Sequence, residues 1–177
     1  IIWYGTLDLQ VMIERQGSYL LGGWLPHWGV VVQPLGCLIF MTAALAHAKR
    51  VPFDLPEAEP EIIGYFTEYS GMKFGLFFLT DFVETVLVAV LTTALFFGGW
   101  QIPWLASEAF PQNEMAVLGM LAFTVKVACF LWLFMAIRWT LPRFRYDQLM
   151  RLGWKALFPL SLANIGVTGL ARLLVHG

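Results

Sequence analysis

Residues 74–97 read FGLFFLTDFVETVLVAVLTTALFF, with Asp81 and Glu84 the only ionisable side chains in the stretch. As a helix rising about 1.5 Å per residue, it measures about 36 Å, enough to cross the roughly 30 Å hydrocarbon core of a bilayer. Strands and soluble core helices do not require an apolar run this long. Outward from it the same pattern recurs. No Asp, Glu, Lys or Arg occurs from Gln16 to Ala48, from Thr85 to Ser107, or from Ala156 to Ala171. Of the 177 residues, 59% are hydrophobic and 13% charged, with 16% aromatic, against about 45–50% and about 25% for apolar and charged residues in soluble domains. The sequence therefore reads as all-α: one polytopic transmembrane domain over residues 1–177, with four spans at about 28–48, 74–97, 115–137 and 155–174. The net charge of −1 offers no field for nucleic acid, and that class is excluded.

Pro34 is expected to kink or start the first span, because proline lacks a backbone donor. Pro159 falls in the first turns of the last span, where proline is tolerated. The connection Lys49–Lys73 is polar and proline-punctuated. The connection Gly98–Glu114 holds two acids and no Lys or Arg. The third, 138–155, carries Arg138, Arg143, Arg145, Arg151 and Lys155. Counting Lys and Arg in short loops puts the first and third connections in the cytoplasm and the second outside, with residues 1–27 also outside. Six tryptophans (Trp24, Trp28, Trp100, Trp104, Trp139 and Trp154) lie near span ends, as interfacial aromatics do. The segment around Leu9–Arg15 suits either a short interfacial helix or an exposed loop. The chain opens at Ile1 without a targeting segment in view and is expected to be the C-terminal piece of a longer subunit.

Phosphate-binding glycine loops and zinc motifs are missing from the sequence, and His27, His47 and His176 are scattered. Cys37 and Cys129 sit in apolar runs without a CxxC, and read as small buried hydrophobes. The informative polar residues are elsewhere. The first basic connection reads KRVPFDLPEAEPEIIGYFTEYSGMK, with Asp54, Glu57, Glu59, Glu61 and Glu68 interleaved with Phe53, Leu55, Ile62, Ile63, Tyr65, Phe66 and Tyr69. Either it is a solvated acidic loop, or it folds back on the bundle with its carboxylates lining a cavity. Mutual repulsion there would raise some of their pKa values toward neutral. Within the spans, Asp81 and Glu84 share a helix face at i and i+3, and Lys126 lies mid-span. A charge at mid-bilayer costs about 2.5–3.5 kcal/mol on insertion scales. Glu84 and Lys126 fall about 15 and 16 Å from the cytoplasmic ends of their spans, so the two are expected to meet. The grouping reads as a static ion pair or as part of a proton path. Gln33, Ser161 and Asn164 are candidates for interhelical bonds.

Two blocks carry a resemblance. Arg50-Val51-Pro52-Phe53-Asp54-Leu55-Pro56-Glu57-Ala58-Glu59, followed by Thr67-Glu68-Tyr69-Ser70-Gly71-Met72-Lys73-Phe74, closely resembles the signature of the H-type membrane component of proton-pumping NADH:quinone oxidoreductase (respiratory complex I). Leu141-Pro142-Arg143-Phe144-Arg145-Tyr146-Asp147-Gln148-Leu149-Met150-Arg151-Leu152-Gly153-Trp154-Lys155 is similar to a second loop of the same family. The resemblance covers nearly the whole chain and about the C-terminal half of a family member. It implies an all-helical, non-redox membrane subunit that helps enclose a quinone chamber and couples quinone reduction to proton translocation. Its implied partners are the other membrane subunits and the peripheral subunits that carry the terminal iron–sulfur cluster and the quinone headgroup site. FMN and iron–sulfur clusters would then belong to partner subunits, with quinone as substrate and none of these groups bound by this chain.

Transferred by position, Arg50, Asp54, Glu57, Glu59, Glu61 and Glu68, with Phe53 beside them, become quinone-chamber loop residues; Asp81 takes the place of a membrane Glu and Lys126 that of a Lys, and with Glu84 they are the expected proton path. The implied location is the inner membrane of a prokaryotic cell. Three departures stand out. His47 occupies a position where the family usually has Glu. Glu84 occupies one where Asn or His is common, in a Thr80-Asp81-Phe82 context instead of AEY. The loop is one residue shorter between Glu61 and Thr67. The competing readings are an ion-translocating subunit of a group 4 hydrogenase or formate hydrogenlyase-like complex, and a purely structural membrane anchor.

Overall fold

The computed structural model describes residues 2–20, 25–48, 52–53, 69–103 and 111–176. Helix α1 (Leu9–Gln16) starts at Asp8, whose side chain accepts a hydrogen bond from the Gln10 backbone at 3.0 Å, the usual means of satisfying a first-turn N–H. It turns Met12, Ile13 and Gln16 inward, so the opening segment is helical. A two-residue antiparallel pair, β1 (Tyr19–Leu20) with β2 (Leu25–Pro26), is in the register Tyr19↔Pro26. Then come α2 (Gly29–Val32), α3 (Pro34–His47), α4 (Met72–Phe96), α5 (Gln112–Thr140) and α6 (Tyr146–Arg151). A single π turn (Leu152–Leu157) joins α6 to α7 (Phe158–His176).

Among the described residues, three helical stretches are long and apolar enough to cross a membrane: Met72–Phe96, Asn113–Thr140 and Tyr146–Leu174. The first expected span, 28–48, is broken. Gln33 is non-helical at φ −135°, and Pro34 begins α3 at a position that needs no N–H, leaving a 14-residue apolar helix. The third span runs three residues further at each end than its apolar run, because Gln112, Asn113 and the turn around Arg138 continue the helix. The basic connection 138–155 shrinks to residues 141–145. There Pro142 stops α5, and the Arg145 backbone donates to the Gln148 side chain at 3.2 Å, opening α6.

The best-packed core joins α3, α4 and α5: Leu45, Phe53, Val88, Ala89, Phe130 and Phe134. Phe53 packs against Phe144 with its ring tilted by 44° (ring centroids 5.5 Å), and the Phe144 backbone N–H donates to the Pro52 carbonyl at 3.0 Å. The two Lys- and Arg-rich connections therefore meet at one end of the bundle, the basic end. At the opposite end α2 packs against the last turn of α4. A Cβ on Gly29 would stand 2.5 Å from the Leu95 carbonyl, so only glycine permits this approach, in keeping with small-residue packing between membrane helices. The antiparallel register of α4 and α5 is set by Phe97 against Phe130 (4.8 Å) and by Gly119 against Trp100. As a result Arg138 comes level with Phe82 and Thr85, and the first turns of α4 project beyond α5. The aromatic ladder on those turns, Phe74, Phe78 and Phe82, is exposed.

Candidate functional site

Helix α4 carries polar chemistry at both ends. Toward the basic end Asp81 and Glu84 lie one turn apart, and Thr85 Oγ1 donates to the Asp81 carbonyl at 2.8 Å. Glu84 Oε1 is 3.4 Å from Nε2 of His47, the last residue of α3. The His47 side chain is 83% exposed and that of Glu84 only 24%, so the pair spans the bundle surface and its interior. His47 and Glu84 are thus the two members of one contact. An apolar cavity of about 190 Å³ between α4 and α5 is lined by Phe82, Thr85, Val86, Leu131, Phe134 and Met135, with Arg138 the charged group among its lining.

Of the residues placed in the chamber loop, Phe53 is buried in the core against Phe144. Arg50, Asp54, Glu57, Glu59, Glu61 and Glu68 lie outside the described residues.

Lys126 sits at the other end. Its ammonium donates to the carbonyls of Phe97 (2.8 Å), Gly99 (3.0 Å) and Gln101 (2.7 Å), and lies 4.6 Å from the centre of the Trp28 ring. All three of its N–H donors are used. The Phe97 carbonyl caps the C-terminal end of α4, where unpaired acceptors and the helix dipole favour a cation, and the other two belong to the turn that follows. Phe97 is thirteen residues beyond Glu84, about 20 Å along the helix. The expected meeting of Lys126 with Asp81 and Glu84 therefore does not form. Equal depth assumes that α4 and α5 end level, whereas α5 is slid along α4, so Lys126 stands beside the far end of α4.

Gln16 completes that end. It is fully buried, with Nε2 donating to Ala94 and Leu95 (3.2 and 3.1 Å) and Oε1 accepting from Gly98 (2.9 Å) and Gly29 (3.5 Å). Gly98 and Gly99 have φ of +70° and +52°, and a Cβ would meet Trp28 at 2.6 Å and Ile13 at 2.7 Å respectively. Both the left-handed backbone and the lack of space require glycine. Gln16 and the two glycines are not singled out by the sequence pattern. The available signal is a Gly-Gly directly after an apolar run, with a lone lysine in a neighbouring span.

Residues 2–5 pack over this end. Arg15 donates to the Tyr4 carbonyl and Arg172 to the Ile2 carbonyl. Trp3 Nε1 donates to His27 Nε2 at 3.2 Å, and the Tyr4 hydroxyl to the His27 carbonyl at 3.2 Å. Burial pushes the Tyr4 phenol up to about 12, so it stays a donor. Burial also pushes the His27 imidazole below its ordinary value, with the Arg15 backbone pulling weakly the other way. Gln33 bridges the α2–α3 break to Thr168 of α7 at 2.9 Å. Ser161, in contrast, bonds back to the Phe158 carbonyl of its own helix. Cys37 is buried as expected, but Cys129 is exposed, because it lies on the side of α5 turned away from the bundle.

These features define an integral membrane protein built as an α-helical bundle, with a histidine–carboxylate pair toward one end and a lysine-capped helix terminus at the other. Residues 1–169 match the family model described as NADH dehydrogenase, and the chain belongs to that family. It is 46% identical over 174 residues to NADH-quinone oxidoreductase subunit 8 of Rhodothermus marinus, covering 93% of this chain and 50% of that protein. It is 44% identical over 171 residues to the first of the H-type NADH-quinone oxidoreductase subunits of Cytophaga hutchinsonii, at 96% and 48% coverage. With the second such protein of Rhizobium meliloti the identity is 51% over 143 residues, 80% of this chain and 40% of that one. The chain thus spans about half the length of the curated relatives it matches.

Proposed function

We propose that this chain is part of the membrane subunit that walls the quinone chamber of a proton-translocating NADH:quinone oxidoreductase. Arg50, Phe53, Asp54, Glu57, Glu59, Glu61 and Glu68 form its chamber loop, and Asp81 and Glu84 are the carboxylates that carry protons. Lys126 is a separate station on the same path, about 20 Å further along α4. The subunit transfers no electrons. FMN and iron–sulfur clusters reside in the peripheral partners, quinone is the substrate, and the location is a prokaryotic inner membrane.

The observation that carries this reading is the junction of Pro52 and Phe53 with Phe144. It fastens the two family blocks together at the core cluster that also holds Val88, one turn along α4 from Glu84. The test is made in the assembled complex. Glu59→Gln and Glu61→Gln should lower quinone reduction while electron transfer to an artificial acceptor upstream of quinone stays near normal. Unchanged quinone reduction and pumping in both variants would reduce the loop to a solvated connection.

A further inference from the structure

We propose that the cavity between α4 and α5 at the basic end holds an anionic phospholipid, with its phosphate on Arg138 and one acyl chain lying along the two helices. The cavity, about 190 Å³, has Phe82 and Val86 of α4 on one wall and Leu131, Phe134 and Met135 of α5 on the other. Its polar content is small. The Thr85 hydroxyl already donates to the Asp81 carbonyl, which leaves Arg138 as the group that a polar ligand would meet. Phe82, Val86 and Met135 are all about half exposed, so the cavity opens sideways, toward lipid.

The shape suits a chain and excludes a helix. Behind the cavity α4 and α5 pack directly, through Val88 and Ala89 with Phe130 and Phe134. A further helix, about 10–12 Å across, does not enter a space of that size between them. From Arg138 to Leu131 the wall runs about 10 Å along α5, some two-thirds of the roughly 15 Å of hydrocarbon in one leaflet. The charge stands at the outer end of this run. Arg138 is exposed in the last turn of α5, next to Trp139, which is 85% exposed and of the residue type that sits at headgroup level. Among the described residues no ion pair engages Arg138. Of the two acids on α4, Glu84 is turned to His47 on α3, and Asp81 is not part of the lining. A guanidinium grips phosphate through paired N–H donors and keeps its charge at any working pH. Basic pockets between membrane helices on the Lys- and Arg-rich side take acidic headgroups in this way. A quinone head is uncharged and offers Arg138 no ionic partner, which sets lipid above quinone as the occupant.

The test uses the complete complex in phosphatidylcholine liposomes carrying a trace of lipid with a photoreactive group in its acyl chain, read by mass spectrometry of the labelled peptides. Two probes are compared, phosphatidylglycerol and phosphatidylcholine. Labelling within residues 82–86 and 131–138 should be about fivefold stronger with the phosphatidylglycerol probe, the gain expected from one arginine near the surface. Arg138→Gln should bring the two probes level, whereas Arg138→Lys should keep most of the preference. Met135→Trp, which fills the cavity, should lower labelling by both. Equal labelling by the two probes in the unaltered complex overturns the proposal, as does a full preference that survives Arg138→Gln. No labelling of these peptides by either probe also overturns it, and is the result if a partner subunit covers the face. Loss of phosphatidylglycerol labelling on adding excess short-chain quinone overturns it by making quinone the occupant. If Arg138→Gln fails to assemble, Met135→Trp decides, since undiminished phosphatidylglycerol labelling there places the lipid elsewhere.

Discussion

Replacing Gln16 by alanine tests whether the far end of α4 is held by one side chain. The variant removes the acceptor for the Gly98 N–H at 2.9 Å and the donor to the Leu95 and Ala94 carbonyls at 3.1 and 3.2 Å; the Gly29 contact, at 3.5 Å, is too long to add much. A buried group left without its partner costs about 1–3 kcal/mol. The amide of Gly98 has no alternative acceptor in the turn, whereas the carbonyls recover part of their loss from water entering the space left behind. Taking the amide in full and one carbonyl in part gives about 2–3 kcal/mol. At about 1.4 kcal/mol per factor of ten, local opening becomes about 30- to 150-fold more frequent. Hydrogen exchange with mass spectrometry on the assembled complex reads this directly, in peptides covering Leu9–Gln16 and Thr93–Gln101. Gln10→Ala on the exposed face of the same helix, where only a bond to Glu14 is lost, is the control and should change little. If the two variants exchange alike, Gln16 does not brace the helix end and the energetic reasoning is wrong.

The remaining expectations follow from the same geometry. Lys126→Met and Glu84→Gln should have additive effects on complex stability to within about 0.5 kcal/mol, because their sites are about 20 Å apart; a double-mutant cycle on thermal inactivation checks this, and strong coupling would contradict the slid register. Gly98→Ala should destabilise by about 1–3 kcal/mol or more, since a φ of +70° is strained for alanine and its Cβ would strike Trp28; the yield of assembled complex after a heat step measures it. His27 has a lowered folded pKa, so the unfolded segment binds more protons than the folded one. Its contribution is complete above the ordinary value of about 6.5 and is lost as pH falls below it through the lowered folded value. Protection factors for residues 2–20 should therefore drop on acidification, and His27→Gln should abolish that dependence.

Long apolar runs make α4, α5 and α7 plain from sequence, because span length is fixed by the bilayer and leaves little freedom. The Pro52–Phe144 end is legible too, through the placement of Lys and Arg. What cannot be read is how far neighbouring helices slide along one another. The apolar faces of α4 and α5 are nearly featureless in pattern, and the register is set by local fits such as Phe97 on Phe130 and Gly119 on Trp100. That is why matching depths point Lys126 toward the wrong partner. Backbone breaks behave similarly. Pro34 points to a start or kink, but only the geometry of Gln33, and its bond to Thr168, shows the first span divided into α2 and α3. The pairing of His47 with Glu84 is present in the sequence as two separate oddities, and becomes one feature only when α3 is laid against α4.

The π turn at Leu152–Leu157 also bears on how this chain tolerates changes of length. A π turn is geometrically an α-helix that has accepted one extra residue, held in place because straightening it would disturb what lies on either side. Deleting a single residue between Leu152 and Leu157 would return the segment to regular α geometry with the flanking faces kept, whereas straightening it with every residue retained would rotate α6 against α7 by about 100°, the angle one residue subtends. Leu149 and Leu152 pack against the cluster containing Phe53, so that rotation would swing them off the core while leaving α7 in place. A relative with one residue fewer in this short segment should therefore carry a regular α turn in its place, with both leucines still on the core.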